Sequence, residues 1–208
     1  MKELSALTGF TVRNLRSTTL VLLVVASVTG ANLWVHRGSP PVGYGRYDKH
    51  GFSMDYPLNM NFNEMGLSGS KASDASGSIQ LARQDETLTQ YGLFWMGPEM
   101  LATYLEPTPE GALNMVFGIA GLEGTSISSR GELISSTKDG HELVYQTIMI
   151  EEPGVSIPAI IGAWYCEELG RFIILYLFYV PDFDQIEVLS PAVEPMWLGL
   201  VESVVCHR

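Results

Sequence analysis

Between Ser156 and Val180 the chain reads SIPAIIGAWYCEELGRFIILYLFYV, two strand-length apolar runs parted by Glu167-Glu168-Leu169-Gly170. Each run is rich in β-branched and aromatic residues and puts apolar side chains on both alternating faces, so neither face can be left to water. The pattern predicts an antiparallel hairpin at the middle of a sheet covered on both sides. Gly170 supplies the positive φ of the connection, and the glutamates keep its tip solvated. Glu132 to Lys138 and His141 to Ile150, joined by Asp139-Gly140, predict a second hairpin, because both turn residues tolerate the positive φ of a type I′ turn. Earlier in the chain, Tyr47 to Tyr56 predicts one strand with Phe52, Met54 and Tyr56 on one side, stopped by Pro57. Ser78 to Arg83 and Tyr91 to Met96 predict two more, turning at Thr87 to Gln90. The stretch Glu64 to Gly77 is small and polar without periodicity, so it reads as a long exposed or disordered loop.

Two segments change to helical spacing. Within Glu106 to Gly124, Leu113, Val116, Phe117 and Ala120 recur at i, i+3, i+4 and i+7. Thr108 can cap this helix, Pro109 suits its first position, and Gly121 or Gly124 can end it. Near the C-terminus, Val193, Met196, Trp197, Leu200, Val201 and Val204 trace a second stripe, entered through Ser190-Pro191 or Glu194-Pro195. The expected fold class is therefore α+β: an α/β/α sandwich around a central, mainly antiparallel sheet, formed by residues 47–208.

The N-terminus follows a different pattern. Residues 17–35, STTLVLLVVASVTGANLWV, carry no charge, and the run lies between Arg16 and Arg37. A helix of that length covers roughly 28 Å, close to a bilayer's hydrocarbon core. Lys2, Arg13 and Arg16 on the short tail 1–16 favour a cytoplasmic N-terminus and an exported remainder. A retained transmembrane anchor and a cleaved signal peptide ending near Val28-Thr29-Gly30 both fit the run. Residues 36–46, HRGSPPVGYGR, read as a Pro/Gly linker. The expected location is the cell membrane, with a single pass and an extracytoplasmic C-terminal domain.

The entry GFSMDYP at residues 51–57, the strand GRFIILYLFYV at 170–180 and the terminal ESVVCHR together resemble the PsbP-like family, whose α/β/α sandwich is shared with Mog1-type proteins. The similarity covers about residues 44 to 208 and looks closest to membrane-anchored archaeal members. What it implies is a small extracytoplasmic domain of accessory character.

Charge narrows the partners. Residues 36–208 hold 9 basic against 22 acidic side chains, a balance that repels phosphate backbones and argues against nucleic acid. The membrane is one expected partner, and an unidentified protein is another. Candidate chemistry is sparse. Cys166 and Cys206 are the two cysteines of the chain, both in the segment predicted to be exported, and in an oxidising compartment they are expected to form a disulfide. A metal site of Cys166, Cys206 and His207 is the alternative, but it lacks a fourth ligand at sensible spacing. His36, His50, His141 and His207 all fall at positions read as solvated. Asp182, Asp184 and Glu187 could hold a hard cation, yet they lack the Gly and the later Glu of a proper loop. No Gly-x-Ser-x-Gly, phosphate loop or His-Glu-x-x-His occurs, so no catalytic residue, cofactor or metal ligand is assigned. The expected function is that of a non-catalytic, membrane-tethered binding or accessory domain assisting a membrane complex. An enzyme or a small-ligand or divalent-cation binder, using an acidic and aromatic cleft, is the alternative.

Overall fold

The computed structural model describes residues 43–66, 71–84, 88–102, 105–122, 126–152, 155–180 and 193–206. The apolar run 17–35 and His36, Asp182, Asp184, Glu187 and His207 lie outside these. Among the described residues no helix is long and apolar enough to cross a membrane.

The two greasy segments form β9 (Val155–Cys166) and β10 (Arg171–Val180), paired antiparallel, with Gly170 at φ 63° in the connection. They lie inside an eight-stranded sheet. Its other strands are β3 (Asn61–Met65), β4 (Ser76–Gln84), β5 (Leu88–Met96), β6 (Ser126–Arg130), β7 (Ile134–Lys138) and β8 (His141–Glu152). The order is β3-β4-β5-β10-β9-β8-β6, with β7 also on β8, and every pairing is antiparallel. Asp139 and Gly140 adopt φ 53° and 87°, the type I′ geometry their sequence calls for. Side chains of β9 and β10 are buried on both faces, Ile160, Trp164, Ile173 and Leu175 on one and Ala159, Ile161, Phe172 and Ile174 on the other.

The second of these faces is closed by α1 (Pro98–Ala102) and α2 (Pro109–Leu122) through Leu101, Ala112, Leu113 and Phe117. Thr108 caps α2, its Oγ1 accepting a hydrogen bond from Gly111 N–H at 3.0 Å. The first face is closed differently. Residues 44–57 form a hairpin, β1 (Tyr44–Lys49) and β2 (Phe52–Pro57), and β11 (Val205–Cys206) adds a third strand on β2. This small sheet lays Tyr47, Phe52 and Met54 on the core beside α3 (Val193–Ser203), which contributes Val193, Trp197 and Val201.

The expected α/β/α sandwich is thereby corrected: the described residues are chiefly antiparallel β-sheet, and where a second helical layer was expected they form a three-stranded sheet with one eleven-residue helix. The cause is local. His50 and Gly51 take φ 55° and 81°, so the single strand expected over Tyr47 to Tyr56 turns back on itself, and its apolar side chains cover the sheet alongside the helix.

Candidate metal and thiol site

One end of the large sheet gathers the chain's sulfur chemistry. Cys166 ends β9 and is fully buried; Cys206, half-buried, pairs with Phe52 of β2. The two Sγ atoms lie 2.6 Å apart as free thiols, so the expected disulfide is not seen, although the fold brings both residues to one place. A disulfide bond would hold them at about 2.05 Å.

Two residues read as solvated stand beside them. The antiparallel register that sets Leu143 opposite Trp164, continued by two residues, sets His141 opposite Cys166. Glu168 comes from the β9–β10 turn, where it returns over the strand end. Its Oε2 lies 3.2 Å from His141 Nε2 and accepts a hydrogen bond from the Cys166 thiol at 3.6 Å. One ligating atom each of His141, Cys166 and Glu168 falls within 4.8 Å of the others. His141 and Glu168 border an open recess of 360 Å³ lined also by Lys138, Asp139, Trp164, Glu202, Val205 and Cys206.

The electrostatics separate the thiols. A hydrogen bond from Cys206, helped by the Leu169 backbone against burial and Glu168, holds Cys166 below the ordinary thiol range. Cys206, as the donor and itself partly desolvated, is pushed up. Lys138 is almost wholly buried, with Nζ 2.6 Å from Asp139 Oδ2 and 3.9 Å from Glu202 Oε2. It places a fixed positive charge at the rim of an otherwise sulfur- and carboxylate-rich recess.

A second polar cluster sits on the β1–β2 turn. His50 Nδ1 lies 2.8 Å from Asp74 Oδ1 and Nε2 lies 3.1 Å from Glu64 Oε1, while the ring stacks on Trp95 at 5.1 Å. Burial pushes Glu64 up, but hydrogen bonds from Lys49 and His50 outweigh it and leave the carboxyl below its ordinary value. Asp74 is held low chiefly by His50. A carboxyl depressed in the folded state stabilises the fold above its unfolded pKa, and the contribution disappears as pH falls through the folded value. Stability should therefore fall below about pH 4.5, the ordinary carboxyl range. His50→Gln should raise both carboxyl pKa values in an NMR titration and flatten that acid limb in urea midpoints. Unchanged titrations in the variant would show that His50 does not hold these groups.

Neither a family-level comparison nor a comparison with curated proteins finds a match. Among solved structures, the solution structure of cyanobacterial PsbP from Synechocystis is similar at TM-score 0.49 and 9% identity, covering 85% of this chain and 99% of that one. A protein of unknown function from Pseudomonas aeruginosa is similar at TM-score 0.39 and 14% identity, covering 79% and 98%. Likenesses of that size assign no family and no activity to this chain.

Proposed function

We propose that the protein is a non-catalytic binding or accessory domain, tethered to the membrane by residues 17–35 and displayed outside the cytoplasm, where it meets a protein partner. The observation that carries this is the uncharged run between Arg16 and Arg37, followed by a short Gly- and Pro-containing segment and then by the body described from Gly43 on. Eight residues, 36 to 43, extend at most about 28 Å, so the body stays close to the bilayer surface. Its nearest rim is apolar. Leu58 is 60% exposed and Phe62 37%, with Tyr56 between them and Tyr44 alongside. Such a rim suits an interfacial or partner-facing edge.

Fractionation tests the tether. The full chain should sediment with membranes and resist alkaline carbonate, leaving only with detergent, whereas a chain starting at Gly43 should stay in the supernatant. An impermeant protease should reach the domain in intact cells. Full-length protein recovered in the soluble fraction, or a domain protected until the cells are lysed, would overturn the proposal. Crosslinking in intact membranes should then trap a protein partner through the Leu58 and Phe62 rim.

A further inference from the structure

We infer that the reduced Cys166–Cys206 pair, with His141 and Glu168, forms a four-ligand site for one Zn²⁺. The inference stands on distances and concerns the reduced state, which competes with the disulfide expected outside the cytoplasm. Zinc takes Cys, His and carboxylate ligands in a tetrahedron with bonds of about 2.3 Å to sulfur and about 2.0–2.1 Å to nitrogen or oxygen. Those bonds require edges of roughly 3.3 Å between nitrogen and oxygen and roughly 3.5 Å between sulfur and oxygen. His141 Nε2 to Glu168 Oε2 measures 3.2 Å, and Cys166 Sγ to Glu168 Oε2 measures 3.6 Å. Two of the six edges thus already have tetrahedral lengths; the set within 4.8 Å is His141, Cys166 and Glu168, and Cys206 has to swing in as the fourth ligand. The sulfur pair, at 2.6 Å, has to open to roughly 3.8 Å, which requires Cys206 to move at the end of the two-residue β11.

The donor set selects the ion. Two thiolates, an imidazole and one carboxylate suit zinc and exclude the oxygen-seeking Ca²⁺ and Mg²⁺. Binding breaks two S–H bonds, forms two Zn–S bonds and releases two protons. Two thiolates and Glu168 bring three negative charges against the ion's two. Lys138, already paired with Asp139 and Glu202, lines the same recess. The ligands come from four places in the chain, the start of β8, the end of β9, the β9–β10 turn and β11, so the ion would pin the C-terminal strand to the centre of the large sheet.

The test uses the full chain in detergent micelles, reduced and stripped of metal. Co²⁺ serves as the spectroscopic probe, and Zn²⁺ is titrated against a chromophoric chelator. One ion should bind per chain, and Co²⁺ should give a thiolate charge-transfer band with the visible absorption of a tetrahedral centre. Cys206→Ser should remove most of that band and weaken Zn²⁺ by at least roughly 100-fold, more than the 10–100-fold that a lost outer-shell partner costs. Glu168→Gln, at a turn residue whose side chain is 32% exposed, leaves the core untouched and should weaken Zn²⁺ at least roughly tenfold while keeping the thiolate band. Bridging the thiols with diamide should abolish binding until a reductant is added. A reduced wild-type chain without the charge-transfer band, affinity unchanged in both variants, or full binding by the bridged form would each overturn the inference.

Discussion

Trp197→Ala is expected to lower stability by about 3–5 kcal/mol, the range for removing a buried tryptophan. Trp197 is wholly buried, and its indole N–H donates to Leu175 O at 3.2 Å, fastening α3 to the central strand β10. Its ring packs 4.9 Å from Tyr145 and lies over Gly162, where an added Cβ would meet the indole at 2.5 Å. The glycine in β9 is therefore a seat for the tryptophan, and Gly162→Ala should itself cost about 1–3 kcal/mol by overpacking. The two changes share the indole's volume, so their costs should not fully add: in the Trp197→Ala background the extra methyl should cost less, what is left being its 2.8 Å approach to Tyr145 Cβ. Guanidinium unfolding of the four chains measures this. A loss below about 1 kcal/mol for Trp197→Ala, little more than a net hydrogen bond, would mean that α3 does not close this face.

Trp95→Ala should have a comparable cost, about 3–5 kcal/mol, with a different local consequence. Trp95 in β5 is wholly buried, stacks with His50, meets Phe52 edge-on at 5.2 Å, and donates its indole N–H to Ser73 O at 2.8 Å. It is the core contact on which the β1–β2 hairpin rests, and it also holds the segment leading into β4. Loss of the ring should speed amide exchange in β2 and β11 ahead of β9 and β10. Trp95→Phe keeps the ring contacts and removes the donor, so it should recover much of the stability and leave exchange in β2 near wild type. Uniform acceleration across the large sheet would indicate that the small sheet is not a separate cover.

Where a chain segment carried its own instructions, the sequence was a reliable guide. The double-faced apolar runs of β9 and β10, the Asp139-Gly140 turn and the Thr108-Pro109 start of α2 all express local rules of burial, positive φ and capping. The β1–β2 hairpin did not, because His50-Gly51 is a less familiar turn pair than Asn-Gly or Asp-Gly and lies inside an otherwise continuous strand pattern. Missing that turn left out the three-stranded sheet that shares this face with α3.

The site was legible in half. The two cysteines drew notice as a pair, but His141 and Glu168 looked like wet turn residues because each lies at a hairpin end. A register count would have found His141: counting back from the pairing of Glu152 with Val155 puts it across from Cys166. Glu168 follows no such count, since a turn glutamate reaches its neighbours only through a side-chain conformation.

Zinc K-edge absorption on the reduced, zinc-loaded full chain reports directly on whether the fold draws these four residues into one ligand shell. Two sulfur atoms at about 2.3 Å and two lighter atoms at about 2.0–2.1 Å are the expected result. A shell of nitrogen and oxygen alone would contradict it.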